Sequence, residues 1–289
     1  MKKLLILFII FLNVINISAV SVTEIAEVES DYNVVQGTCK YGRFFYYAKV
    51  QNNSVELHKR RVSEPTTDIL CVSETSDTKY PMNHANDMTY DRKNNRLIVN
   101  SYKDNDETTK GLLTFVSPDT LVAYGSVVAK DKDGNPLAVT GLEYYNGNYI
   151  AISNNIYLLD ENFQEIERHS RGDFSHNILT EKYKKIFGEG HLSTQGVAID
   201  KNYIYYLLPY YYNGKYYNFA VRFNFQYEPI DEFVFNMEDE AQGLFFSGST
   251  GYVITNNQDR IYKFYTSPFS SLLNSFDTIR SLLTNFKIN

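Results

Sequence analysis

The 289-residue sequence predicts an all-β fold: a five-bladed β-propeller closed by an N-terminal strand and followed by a C-terminal amphipathic helix. Three observations carry this reading. A short motif recurs five times at a near-constant period. Each period reads as four short strands joined by turns. Tyr (25) and Phe (19) are abundant while Trp is absent, and aromatic side chains suit a pleated, half-buried surface.

The motif is a small or polar residue, then Gly or Asp, then four or five strand-like residues, a turn and a second aromatic-rich strand. It appears in "VVQGTCKYGRFFYYAKV" from Val34, "ANDMTY" from Ala85, "AVTGLEYYNGNYIAI" from Ala138, "STQGVAIDKNYIYYL" from Ser193 and "EAQGLFFSGSTGYVI" from Glu240. The anchors Gly37, Asp87, Gly141, Gly196 and Gly243 lie 50, 54, 55 and 47 residues apart. Such a period marks an architecture whose unit cannot bury its apolar faces alone.

The third period is the clearest. "GLEYY" is a strand and Asn146-Gly147 is a favoured two-residue hairpin turn. "NYIAIS", "NIYLLD" and "FQEIERH" follow with period-two character. The fourth period reads the same way, as "GVAI", "YIYYLL", "NFAVRFN" and "IDEFVFN". Four antiparallel strands with short turns make a propeller blade. The fifth period supplies only "GLFFS", "GYVITN" and "RIYKFY". The orphan strand "VTEIAEV", Val22 to Val28, is expected to complete it and close the ring, leaving no exposed sheet edge.

The propeller is expected over residues 20–266. Ahead of it, Met1-Lys2-Lys3, the apolar "LLILFIIFLNVINI" and the small residues near Ala19 read as an export signal over 1–19, which predicts a secreted, extracellular protein. Asn13 and Asn16 interrupt the apolar run, which suits a membrane span of about 20 residues poorly. No later segment is apolar enough to cross a bilayer. Behind the propeller, Ser267-Pro268 is a cap and first-turn pair. Apolar residues then recur at helical spacing from Phe269 to Phe286. This helix over 267–289 either packs on the propeller, mediates self-association or docks a partner.

The charge balance, 28 Lys and Arg against 34 Asp and Glu, excludes a nucleic-acid partner, whose phosphates demand clustered cations. Cys39 and Cys71 are the only cysteines. They are either one bridge or two buried thiols.

In a propeller the first strand of each blade lines the central channel, and the residues entering that strand gather at one rim. Gln36, Asn86, Thr140, Gln195 and Gln242 are therefore expected to form a ring of amide and hydroxyl groups. His84 and Asp87 in the second blade and Glu143 in the third complete the candidate ligand-binding set. Amides both donate and accept, which matches a small polar ligand, a glycan or a protein surface. The bland reading is that these groups bond only to one another and to ordered water. Glycoside hydrolysis wants two opposed carboxylates. Asp87, Glu143, Asp239 and Glu240 are present, but no pair stands out, and no catalytic residue is assigned.

No metal or cofactor is expected. Calcium on Asp87, Asn86 and backbone carbonyls is the one metal alternative. "DKDGNP" from Asp131 carries Pro136 where a calcium loop needs Gly, and reads as a turn. The five histidines have no close zinc spacing. Neither a phosphate loop nor a nucleophile elbow occurs. The insertion "HSRGDFSHNILTEKYKKIFGEGHLS" before the fourth blade predicts a short helix over "LTEKYKKIF", as a lid or a gap filler. Its Arg171-Gly172-Asp173 tripeptide is read as coincidence.

The blade starts resemble those of plant-type glutaminyl cyclases. "VQGT", "TQGV" and "AQGL" are similar to that family's Q-G-L openings, and "GLEYYNG" to its N-E-L-E-Y segment. The resemblance implies a secreted five-bladed propeller. It also implies an enzymatic alternative to recognition: cyclisation of an N-terminal glutamine at the rim, with Asp87 in place of the family's proton-shuttling glutamate. The family's E-G-L at the second blade is here Asn86-Asp87-Met88, and its pocket tryptophans have no counterpart. A glycosidase-like activity at the same rim is the other enzymatic alternative.

Overall fold

The computed structural model describes residues 18–27, 34–51, 54–74, 79–102, 106–256 and 260–265. The chain opens with β1 (Ser18–Val20) and β2 (Thr23–Glu27). Blade one is β3 (Val34–Tyr41), β4 (Phe44–Gln51), β5 (Ser54–Arg61) and β6 (Glu64–Glu74). Blade two is β7 (Asp87–Asp91), β8 (Arg96–Asn100), β9 (Leu112–Val116) and β10 (Ala123–Val128). Blade three is β11 (Gly141–Tyr145), β12 (Asn148–Ile152), β13 (Asn155–Leu159) and β14 (Glu165–Ser170), followed by a 3₁₀ turn (Gly172–Phe174) and helix α1 (His176–Phe187). Blade four has a divided first strand, β15 (His191–Leu192) and β16 (Val197–Ile199), both paired with β17 (Ile204–Tyr212), then β18 (Lys215–Phe223) and β19 (Pro229–Phe235). Blade five is β20 (Ala241–Ser247), β21 (Thr250–Thr255) and β22 (Arg260–Tyr265).

The sheets are antiparallel within each blade, and their innermost strands form a closed cycle. β3 contacts β7, β7 contacts β11, β11 contacts β16, β16 contacts β20, and β20 returns to β3. The five-bladed propeller is thus present, and its core is divided to match. Among the described residues five apolar clusters occur, one at each junction between adjacent blades. Strand alternation explains this division. Phe45 and Tyr47 of β4 pack toward blade five, while Tyr46 and Ala48 pack toward blade two. On β12, Ile150 and Ile152 face blade four while Tyr149 and Ala151 face blade two. Strands with both faces buried carry nearly continuous apolar runs, which is the character of "NYIAI" and "IYYLL".

Two N-terminal strands lie on the outer edges of the last two blades. β2 pairs antiparallel with β22, Thr23 opposite Lys263 and Glu27 opposite Arg260. β1 pairs parallel with β19, Ala19 opposite Val234. The expected C-terminal helix over 267–289, and residues 1–17 of the expected export signal, lie outside the described residues.

Helix α1 is longer than "LTEKYKKIF" alone. It buries Leu179 and Tyr183 in the cluster between blades three and four. The Tyr183 ring stacks on Phe219 at 4.1 Å and Phe187 on Tyr217 at 4.1 Å. The Lys182 ammonium reaches Glu232 at 2.5 Å. The helix is therefore packed against blade four. Cys39 and Cys71 are both free thiols. They sit on the first and fourth strands of one sheet, about 14 Å apart at the usual strand spacing, well beyond disulfide reach.

Candidate ligand site at the channel mouth

The five ring residues converge. Gln36, Asn86, Thr140, Gln195 and Gln242 all line one cavity of about 380 Å³, and His84 lines it with them. Local backbone features aim them there. The register of β3 slips between Val35 and Thr38, and that of β20 between Ala241 and Gly243, so Gln36 and Gln242 sit on bulges. A bulge leaves its extra residue out of the ladder and re-aims its side chain. In blade two, Asn83 and Ala85 adopt left-handed φ of 46° and 47° on either side of His84, an uncommon choice for a non-glycine residue. The Ala85 N–H donates to the Met82 carbonyl, and the Ala85 carbonyl accepts the Gly37 N–H, each at 2.9 Å. The "NHAND" loop is thereby tied to blade one. A Cβ on Gly37 would stand 2.4 Å from the Asp87 carbonyl carbon, so this contact admits only glycine.

The ring divides into paired and unpaired members. The Asn86 amide donates to the Thr140 carbonyl. The Thr140 hydroxyl donates to the Ile152 carbonyl and accepts from the Tyr206 hydroxyl, each at 2.8 Å. The side-chain carbonyl oxygens of Gln36, Gln195 and Gln242 are buried without a partner among the described residues. An unsatisfied buried acceptor costs about 1–3 kcal/mol. Three of them, from three blades, border one opening.

Asp87 and Glu143 lie elsewhere than the rim reading places them; neither lines the cavity. Asp87 is fully buried inward of the mouth. Its Oδ2 accepts the N–H groups of Leu142 at 2.8 Å and Val197 at 3.0 Å, and its Oδ1 that of Met88 at 2.9 Å. Burial pushes this carboxyl up to about 7, against the three peptide donors, which hold it down. Three peptide donors thus occupy much of the acceptor capacity of this carboxylate. Glu143 is half-buried on β11. Burial and then the Asp87 charge push it well above the usual carboxylate range, against a Thr89 hydrogen bond and Arg92.

Glu240 is the carboxylate that does line the mouth. It is 8% exposed and accepts from the Asn256 amide at 3.2 Å. Burial raises its pKa, opposed by hydrogen bonds from Asn256, Gln242 and Tyr216. Val34, His84, Ser193 and Glu240 each precede a ring residue by two positions, and all four line the cavity. Reading the same repeat frame two residues upstream would have found this outer tier. Tyr102 and His191 also reach it, from segments outside the repeated motif.

A second cavity of about 230 Å³ shares Tyr102, Thr140 and Thr194 with the first and adds Ala138, Arg171 and His176. Arg171 is 1% exposed, which withdraws the Arg-Gly-Asp tripeptide from any receptor. Among the described residues, Glu56, His58 and Cys71 bring potential ligand atoms within 4.8 Å of one another. This cluster lies on the outer strands of blade one, where both His58 nitrogens meet carboxylates, Glu56 at 2.9 Å and Asp68 at 3.1 Å.

No family model and no curated protein matches the sequence. Among solved structures, glutaminyl cyclase from Myxococcus xanthus aligns with a TM-score of 0.54 at 11% identity, covering 86% of this chain and 97% of its own. Virginiamycin B lyase from Staphylococcus aureus aligns with a TM-score of 0.44 at 9% identity, covering 85% and 99%. A gluconolactonase from Xanthomonas campestris aligns with a TM-score of 0.44 at 8% identity, covering 84% and 89%. The glutaminyl cyclase likeness supports the five-bladed fold.

Proposed function

We propose that this propeller is a secreted recognition module that binds a small polar ligand at the channel mouth. The observation that carries the proposal is the trio of unpartnered amide oxygens, on Gln36, Gln195 and Gln242, bordering one cavity. They call for a ligand that donates hydrogen bonds, such as the hydroxyls of a sugar-like molecule, either free or displayed on a glycan or protein. Asn86, Thr140 and His84 supply the remaining contacts. Export rests on the leader pattern over 1–19, and ring closure on the pairing of β2 with β22. The test is a thermal-shift screen with monosaccharides and polyols, together with a glycan array. Saturable binders are expected, with affinity reduced at least tenfold in Gln36→Ala/Gln195→Ala. Absence of any binder, or unchanged binding in the double variant, contradicts the proposal.

A second reading, an enzyme at the same mouth, is favoured by one observation. Glu240 is a buried carboxylate with a raised pKa in the cavity, the state in which a carboxyl serves as a general acid at neutral pH. In this reading Glu240, rather than Asp87, moves the proton. Assays for pyroglutamate formation and for sugar release decide it. Turnover abolished by Glu240→Gln and retained in Asp87→Asn supports the enzyme.

A further inference from the structure

A buried cation normally has a partner. Arg171 has none among the described residues: it is 1% exposed, yet its Nε, Nη1 and Nη2 atoms all lack a hydrogen-bond partner there. The guanidinium carbon lies 5.1 Å from the centre of the Tyr206 ring, whose hydroxyl bonds to Thr140 of the channel ring. Stacking on an aromatic face orients a guanidinium but satisfies none of its N–H donors. An uncompensated buried charge is strongly unfavourable, and proteins avoid it unless something completes it.

The surroundings are those of an anion site. Arg171 lines the 230 Å³ cavity with the neutral groups Ser153, Asn154 and Thr194. His176 lines it too, as the first residue of the twelve-residue helix α1, which has no acidic residue in its first turn and no side-chain cap on its N-terminal N–H groups. A helix N-terminus favours negative charge. Among the described residues, Arg171 is the only permanently charged one lining the cavity. One positive charge in a planar fork matches a carboxylate, which binds a guanidinium through two parallel hydrogen bonds.

We propose that Arg171 is the anchor for a carboxylate carried by the ligand of the channel mouth, which makes that ligand a hydroxylated carboxylic acid. Tyr102, Thr140 and Thr194 line both cavities, so a single molecule can place its carboxylate on Arg171 and its hydroxyls among the glutamine oxygens. This assignment rests on the mouth as the binding site proposed above, and it is tested separately.

The probe is acetate, compared with chloride at equal ionic strength and with inorganic phosphate. In the intact protein, 100 mM acetate is expected to raise the unfolding midpoint by about 2–4 °C over chloride and to shift the Arg171 Nε–H resonance saturably. Arg171→Gln abolishes the rise and Arg171→Lys reduces it, while both keep the affinity for neutral sugars or polyols. Gln36→Ala/Gln195→Ala shows the reverse pattern, losing the neutral ligands and keeping the acetate response. The NMR titration needs no variant, so a misfolded substitution leaves the test intact. A resonance unmoved by acetate, an equal midpoint rise in Arg171→Gln, or phosphate binding more tightly than acetate overturns the carboxylate assignment.

Discussion

The Asp87 carboxylate of blade two accepts the Val197 peptide N–H of blade four at 3.0 Å, across 110 residues of sequence. The same oxygen accepts the Leu142 N–H of blade three at 2.8 Å. One buried side chain therefore ties together the innermost strands of three blades. The adjacent Gly196 makes room for it, since a Cβ there would stand 2.8 Å from Asp87 Oδ1. The second blade carries Asp where the other four carry Gly because this carboxylate fills the space just inside the ring.

Asp87→Asn turns one acceptor oxygen into a donor facing other donors. A loss of about 1–3 kcal/mol per group left unpaired is expected in chemical denaturation. The pH dependence is distinctive. The Asp87 pKa is raised from 3.8 to about 7, so between those values the folded protein holds a proton that the unfolded chain has released. Its contribution to stability is thus fully present below about pH 4, falls as pH rises, and is lost above about pH 7. The wild type should lose its advantage over Asp87→Asn across that window, by at most about 1.4 kcal/mol per pH unit. Parallel stability curves for the two proteins would exclude this role.

Gly37→Ala drives a Cβ into the Asp87 backbone, where no flexible side chain can yield. Overpacking of this kind costs about 1–3 kcal/mol. The variant is expected to unfold at lower denaturant with an unchanged m-value, whereas Gly42→Ala, with open space around it, is strained only by its left-handed φ of 57°.

Removal of residues 1–27 exposes the edge of β22 that β2 covers. An open edge invites pairing with other chains. The truncated protein should have a lower unfolding midpoint and self-associate in light scattering. A monomer of undiminished stability would show that the ring closes without this strand.

Both cysteines should titrate as thiols. Cys71 is exposed and its pKa is pushed up to about 12 by burial of the sulfur and then by Glu56, so native alkylation at pH 8 is slow. Cys39 is buried, and its pKa is also raised, chiefly by burial. Mass spectrometry after denaturation without reductant is expected to find two modified cysteines. A mass lower by two hydrogens, with neither modified, would mean a bridge that the blade geometry forbids.

Much of the fold was legible because each blade repeats the same solution to the same burial problem. The anchors at Gly37, Asp87, Gly141, Gly196 and Gly243 reported the axis, and the residue before each reported the mouth. What was not legible depended on departures from the repeat. Asp87 turns inward to three peptide donors, and nothing in "HANDM" states how deep its side chain reaches. Glu143 follows Gly141 by two residues, and its depth along the channel is set by the strand, not by its distance from the motif. Arg171 belongs to an insertion with no counterpart in the other blades, so only the packing of α1 against blade four reveals that it is buried. Glu240, by contrast, was within reach, two residues ahead of Gln242 in the same frame that places His84 ahead of Asn86.

The central claim is that five blades deliver polar groups to one mouth in order to hold a ligand there. Crystals soaked with a small library of polyols and hydroxy acids test it most directly. The account predicts ordered density at the mouth, with ligand hydroxyls donating to the side-chain oxygens of Gln36, Gln195 and Gln242. Soaks in which every bound compound lies elsewhere, and only water meets those three oxygens, would contradict it.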